Sequence, residues 1–480
     1  MNIRLVLILA CFICTPSAFA GDSNTSQPSQ NKKNQNYEQQ LTNLLSSLNT
    51  ITGVPGFSVS VVHKGKLVAS VATGFSDLKS KVPTKPDTTF RLASVSKIVG
   101  ATMLAELVVN EQLDPDQGIG HYYPELNSKY HGITIRQLLS HTSGMPHYQL
   151  KDYDIYDDHY STAIEAVNTL KNRDLVSRPG YAYLYSTHGY TLAGALYEKV
   201  TAQPLTKSIQ DFISRWTGKN TPAIENIHSL RKESTRLYEL NKSGAKHIEY
   251  GEKSYSIFGA GLLATSEDLA SFGAKVLHRA KNNQAYRELL FTPTQTLGGK
   301  VVEDRQFQVG FGWRIDEDPY GRQVYHHAGS TPGARSILAI YPEHDLSIAF
   351  LSNSSWVASI EQLVFALASL YIDDANNTVM KSSKYQITSN NKQLAGTTQC
   401  QSNQCTLTDN TTDFAQWLNS FNSSRKPVEE WPVFIYDVGN AQRLLMVNKV
   451  GIAAFEGQRH SFAGKVGKDQ SYAIQFHQAK

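Results

Sequence analysis

Ser94 and Lys97 stand three residues apart in RLASVSKIVGATMLAELVV, where an apolar run with helical spacing begins. One helical turn apart, a hydroxyl and an amine can reach each other, and a hydroxyl is a useful nucleophile only with a base that close. The competing reading is a helix cap followed by a solvated surface lysine. The bare pair decides nothing, because it recurs at Ser29, Ser76, Ser229, Ser243, Ser389 and Ser423, in polar, charged or strand-exit stretches. Ser94 differs in opening a long apolar segment. Val95, Ile98, Val99, Ala101, Met103, Leu104, Leu107 and Val108 crowd most of the helix circumference, the mark of a buried helix. A lysine in its first turn also sits at the positive end of the helix dipole. Burial and dipole both lower a lysine pKa towards a usable base. A cap accounts for Ser94 and leaves Lys97 unexplained.

Three more segments carry chemistry-bearing side chains. LLSHTSGMPHY (138–148) reads as a helix ending in a Gly-Met-Pro turn, and its His141 and His147 are either metal ligands or, more commonly for turn histidines, hydrogen-bonding residues. In YLYSTHGYTLAGALYEKV (183–200), Tyr185, Ser186 and Thr187 directly precede another apolar helix. In YHHAGSTPGARSILAIY (325–341), His327, Ala328 and Gly329 sit on a strand ahead of a turn of small residues.

FRLASVSK, ITIRQLLSHTSGM, YSTHGYTLAGALYEKVT and HHAGSTPG follow one another in an order that resembles the serine beta-lactamase-related family, which includes class C beta-lactamases, DD-peptidases, esterases and D-aminopeptidases. The resemblance covers roughly residues 50 to 375. The wording of LYSTHGYTL and SHTSGMPHY is nearest to the mitochondrial serine beta-lactamase-like branch, a proposed protease. It implies Ser94 as the nucleophile of an acyl-enzyme, Lys97 as its base and Tyr185 as the proton carrier to the leaving group. The backbone N–H groups of Ser94 and Ser330 would form the oxyanion hole, with Gly329, Thr187 and His327 on the substrate side. Such donors commonly account for about 10²- to 10³-fold of rate. Two positions depart from the lactam-hydrolysing pattern. Thr187 replaces an asparagine that both donates and accepts, and His327 replaces a lysine that grips a ligand carboxylate. An ordinary histidine, with a pKa of about 6.5, is largely neutral at pH 7. Both changes weaken the case for lactam turnover, so acyl transfer from a peptide or ester is the expected activity. Carboxylate-bearing substrates are expected to gain as pH drops through the histidine range.

The elements that must hold these residues are legible in outline. Residues 57–75 read as a hairpin around Lys64-Gly65, and strands return at QVGFGWRID, RQVYHHAG and ARSILAIYPEHDLSIAFLSN, with a turn at 342–345. The stretch between, about 94 to 290, is helical in pattern, and EQLVFALASLYI (361–372) reads as a last helix. The expected class is α+β: an antiparallel sheet assembled from both ends, flanked by helices, with an all-helical domain inserted. Residues 381–480 turn Asn-, Ser- and Gln-rich before short strands resume, so a small separate β-rich accessory domain is expected after a hydrolase domain at 37–380.

With 480 residues, a net charge of +4 and no long basic run, nothing in the chain points to nucleic acid. Arg4, the apolar Leu5–Ile13 and Ala18-Phe19-Ala20 read as a secretory signal over 1–20, too short to span a bilayer. A lipoprotein-type cut before Cys11 would leave an apolar core of only about six residues, which disfavours it. Residues 21–36 read as a polar flexible tether. Removing the signal leaves Cys400 and Cys405, and an even pair in an exported chain favours a disulfide over a metal site without nearby histidine. The expected protein is an exported, periplasmic or secreted serine hydrolase of amides or esters, most simply a peptidase. It needs no metal or cofactor, takes a small-molecule or peptide substrate, and has an unassigned oligomeric state. A beta-lactamase or DD-peptidase is the first rival. A non-catalytic scaffold of the same fold is the second, disfavoured by a buried lysine that only chemistry needs.

Overall fold

The computed structural model describes residues 27–149, 158–170, 173–241, 243–304, 307–357, 359–373, 376–377, 383–389, 392–401, 403–409, 428–438, 440–448, 451–458, 461–466 and 470–478. The expected signal over 1–20 lies outside them. Helix α1 (Gln27–Thr52) corrects the tether reading: residues 27–36 are helical, in one helix that runs on to Thr52. Tyr37, Leu41, Leu44, Leu45 and Leu48 are buried at helical spacing. Once they nucleate the helix on the core, extending it by further turns costs little.

β1 (Gly56–His63) and β2 (Lys66–Asp77) form the expected hairpin. Lys64 and Gly65 both take positive φ, 51° and 71°, as a two-residue I′ turn requires. Short strands β3 (Val82–Pro83) and β4 (Phe90–Arg91) lead to α2 (Ser96–Val109). The inserted region then carries α3 (Ile135–Leu139), α4 (Ala163–Val167), α5 (Thr187–Thr201), α6 (Leu205–Thr217), α7 (Ile257–Ala260), α8 (Ser266–Asn282) and α9 (Gln284–Phe291). It is not all-helical. β5 (Ala223–Ile224) and β8 (Leu262–Ala264) join β4 in a three-stranded sheet, and β6 (Leu237–Asn241) with β7 (Gly244–Ile248) makes a hairpin. Strands of two to five residues have too short a period to separate from loop in the sequence.

The chain returns through β9 (Glu303–Asp304), β10 (Phe307–Val309), β11 (Arg314–Glu317), β12 (Gln323–Thr331), β13 (Ala334–Tyr341) and β14 (Leu346–Ser352), then α10 (Glu361–Ile372). The main sheet runs β3-β2-β1-β14-β13-β12-β11-β10-β9, so both ends of the region do build one sheet. Its central strands are buried on both faces. Ile337, Ala339 and Tyr341 of β13 join the cluster that includes α1 and α10, while Leu338 and Ile340 join the cluster of α2, α5 and α8. Period-two alternation here sorts apolar residues between two cores rather than apolar from polar.

Beyond α10, β15 (Asn376–Asn377) pairs with β19 in a second sheet made of β16 (Ser383–Ser389), β17 (Lys392–Gln401), β18 (Gln404–Asp409), β19 (Glu430–Val438), β20 (Ala441–Asn448), β21 (Gly451–Gln458), β22 (Ser461–Val466) and β23 (Gln470–Gln478). Each strand from β16 to β23 pairs antiparallel with its sequence neighbours, and β16 pairs with β23. Eight strands therefore close into an up-and-down barrel, which leaves no free edge. This barrel packs against the rest of the chain. Its buried Trp431, Leu444 and Phe455 belong to one continuous cluster with α1, α10 and the adjoining sheet face. Among the described residues no helix is long and apolar enough to cross a membrane.

Candidate active site

Ala93, in a one-turn 3-10 helix ahead of α2, has φ +49°, a left-handed conformation rarely adopted by a residue with a Cβ. Unusual backbone at such a place is where a sharp turn presents a side chain. Ser94 is left half-buried, at the edge of reach from solvent, while Lys97, in the first turn of α2, is 0% exposed. The two side chains meet, with Lys97 Nζ 3.1 Å from Ser94 Oγ. The Tyr185 hydroxyl donates to the same Oγ at 2.9 Å. Lys97 also donates to Thr187 Oγ1 at 3.2 Å and to the Gly259 carbonyl at 2.7 Å.

The start of α5 brings Tyr185 and Thr187 to this point. Ser186 caps it, accepting from the Gly189 N–H at 3.0 Å and donating to the Pro146 carbonyl at 2.7 Å. His141 Nδ1 accepts from the Ser186 N–H at 3.1 Å, and His147 Nδ1 from the Thr187 N–H at 3.3 Å. The turn histidines are thus hydrogen-bonding residues that satisfy backbone donors at a buried helix start. The His141 ring also lies 4.3 Å from that of Tyr185, bracing it from behind.

Burial holds the Lys97 pKa below the ordinary lysine value against the opposing pull of Tyr185, and the Arg314 charge adds to the lowering. Burial alone would raise Tyr185. The Lys97 and Arg314 charges and the hydrogen bonds with Ser94 and Lys97 outweigh it, so the phenol lies below its usual value. Amine and phenol are brought towards one another, the arrangement a proton relay needs.

β12 forms the other wall. A Cβ on Gly329 would lie 2.2 Å from the Leu92 carbonyl oxygen, 2.5 Å from Ser336 Oγ and 3.0 Å from the Ser94 nitrogen, so only glycine lets the strand lie against the Ser94 turn. Ser330 follows on this strand, exposed, with its Oγ 3.4 Å from Ser355 Oγ. His327 is 2% exposed, and its Nδ1 lies 2.7 Å from the Ala328 carbonyl oxygen. Burial first, then the Arg314 and Lys97 charges, push its pKa well below the ordinary histidine value. Such a shift disfavours the protonated ring and so works against the expected gain of carboxylate-bearing substrates as pH drops through the ordinary histidine range. Cys400 and Cys405 stand apart from this cluster, opposite each other on β17 and β18 with their sulfurs bonded.

Sequence reasoning missed Gly259 and Arg314. Gly259 lies in SIFGAGLL, whose small residues hinted at close packing: a Cβ there would sit 2.4 Å from Thr187 Cγ2 and 2.1 Å from Ser256 Oγ. Arg314, on β11, pairs with Glu361 at 3.2 Å and still acts on Lys97, Tyr185 and His327 through its charge. Nothing in QVGFGWRID announces it.

The Beta-lactamase family profile matches residues 41–359. The human serine beta-lactamase-like protein LACTB, mitochondrial, is 26% identical over 395 residues, covering 62% of this chain and 71% of that protein. Penicillin-binding protein 4* of Bacillus subtilis (strain 168) is 25% identical over 327 residues, covering 65% of this chain and 71% of that one. The octameric penicillin-binding protein homologue from Pyrococcus abyssi superposes with a TM-score of 0.55 at 17% identity, over 92% of this chain and 99% of that one, and so shares the fold. With its beta-lactamase/transpeptidase-like fold and a serine, a lysine and a tyrosine in mutual contact, the chain belongs to the Beta-lactamase family of serine hydrolases.

Proposed function

We propose that this protein is an exported serine hydrolase that cleaves amide or ester bonds through an acyl-enzyme on Ser94, and that its substrates are peptides. The observation that carries the proposal is the convergence of two proton carriers, Lys97 Nζ and the Tyr185 hydroxyl, on one half-buried Ser94 Oγ. Ser94 Oγ attacks the substrate carbonyl while its proton passes to Lys97. The negative charge on the carbonyl oxygen is met by the backbone N–H groups of Ser94 and Ser330. Tyr185 gives a proton to the departing amine or alkoxide and is recharged from Lys97. Water then attacks the acyl carbon, its proton passes along the same relay to Ser94 Oγ as the acyl–Oγ bond breaks, and the acid leaves.

The buried, neutral His327 supports peptide or ester substrates over carboxylate-anchored lactams, because it supplies no cation. Thr187 supports the same choice, since its hydroxyl is engaged by Lys97 and lacks an amide's second function. Export rests on the leader over 1–20 and the Cys400–Cys405 bond. Labelling with a fluorophosphonate and with a fluorescent penicillin, read by intact mass, tests the proposal. One equivalent of phosphonate on Ser94 with slow or no penicillin turnover is expected. Rapid penicillin turnover would move the assignment to beta-lactamase, and absence of any adduct would leave only a scaffold.

A further inference from the structure

His159, His228 and Glu252 come from three distant segments and meet on one face of the inserted region. Among the described residues they are the one group of three metal-ligating side chains whose donor atoms all lie within 4.8 Å of one another. Glu252 Oε2 is 3.1 Å from His159 Nδ1 and 3.9 Å from His228 Nε2. A tetrahedral zinc ion with bonds of about 2.0–2.2 Å spaces its ligand atoms roughly 3.3–3.6 Å apart. Small rotations of two exposed rings therefore complete the site.

The carboxylate is already set. Its side chain is 3% exposed, and Oε1 accepts from the Lys253 and Ser254 N–H groups at 2.8 and 2.7 Å, which leaves Oε2 turned to the imidazoles. Outer hydrogen bonds of this kind orient a ligand before the metal arrives. The rings sit 5.5 Å apart between centroids and face solvent, so water can fill the remaining position. An ion pair of Glu252 with His159 accounts for one imidazole. It does not account for a second one turned to the same oxygen.

We propose that His159 Nδ1, His228 Nε2 and Glu252 Oε2 form a binding site for a borderline transition-metal dication, zinc above all. Two imidazoles exclude magnesium and calcium, which take all-oxygen shells. The ion braces rather than reacts. Tyr160 N–H already donates to Ser254 Oγ at 2.9 Å and Thr191 Oγ1 to the Tyr255 carbonyl at 2.9 Å, and this segment leads to Gly259, the acceptor for Lys97. Bound zinc ties the 158–160 loop and the Ile227–Ser229 3-10 turn to it.

The test is calorimetric titration of the untagged, chelator-stripped full chain with zinc, alongside the visible spectrum of the cobalt(II) form. One equivalent bound, a tetrahedral cobalt spectrum and a higher Tm with zinc are expected. His159→Ala and His228→Ala should each weaken binding by at least ~10-fold, the lower end of what even outer-ligand losses cost. Glu252→Gln should do the same while its amide oxygen keeps the two backbone bonds. Should that variant fold poorly, the two exposed histidines decide alone. Failure of the wild type to bind one equivalent, or unchanged affinity in both histidine variants, overturns the site.

Discussion

Three partners surround Lys97 Nζ, but only the Gly259 carbonyl is obliged to accept a hydrogen. A neutral amine, with two N–H bonds and one lone pair, can therefore satisfy all three while taking the proton from Ser94. That protonation state is what burial favours. Ser94→Ala should abolish phosphonate labelling, and Lys97→Ala and Tyr185→Phe should each slow acylation by at least ~10²-fold, the low end of general acid–base contributions. A full equivalent of label on Ser94→Ala would sink the assignment. The acid limb of kcat/KM should fall below the ordinary lysine pKa of about 10.4, because protonating Lys97 removes the base. His327 adds no limb of its own. Neutral esters and carboxylate-bearing substrates should share one profile across the ordinary histidine range, and a selective gain for the carboxylates at low pH would contradict a buried neutral ring. The Ser94–Lys97 pair was readable because a helix brings third neighbours together. Lys97 with Gly259, 162 positions apart, was not, because the acceptor is a backbone carbonyl and any residue type has one.

The site is held by where elements end, more than by their middles. α2 begins behind a left-handed Ala93, α5 begins under two histidines, and β12 passes the Ser94 turn at the distance glycine permits. Period-based reading finds element bodies well, as with the Lys64-Gly65 hairpin and the Glu361–Ile372 helix. It finds junctions poorly, because caps and close approaches depend on partners distant in sequence. Gly329→Ala tests the role of one junction. Its Cβ would collide with the Leu92 carbonyl and crowd the Ser94 nitrogen, forcing strand and turn apart and misaligning the Ser94 and Ser330 N–H groups. We expect kcat to fall by about 10²-fold, the usual cost of an oxyanion donor, with KM changed less. A variant that keeps full kcat would mean that β12 contributes no such donor.

The barrel was the least legible part of the molecule. In an eight-stranded barrel alternate residues face outward, so a stretch rich in Asn, Ser and Gln can still close a core. Reduction of Cys400–Cys405, which clips only the β17–β18 hairpin, should cost roughly 2 kcal/mol in the chain-entropy model and leave Ser94 labelling intact. Removing the whole barrel is a different matter. α1 and α10 lie between the main sheet and the barrel, sharing buried contacts with both. Arg443 of β20 pairs with Asp373 just past α10 and with Glu456, and stacks over the Tyr320 ring at 4.1 Å, while Arg322 reaches the same Asp373 at 3.5 Å. A chain ended at residue 380 keeps every residue of the Ser94 cluster, yet it bares apolar surface on both helices and leaves Asp373 one cation short. Large newly exposed apolar patches drive association. The truncated chain should melt lower, bind a hydrophobic dye and aggregate, although any soluble fraction should still be labelled at Ser94. Size-exclusion chromatography and a melting curve beside the full-length protein check this. A well-behaved truncated chain with the full-length Tm would show instead that the barrel is an appendage and that the two units stand alone.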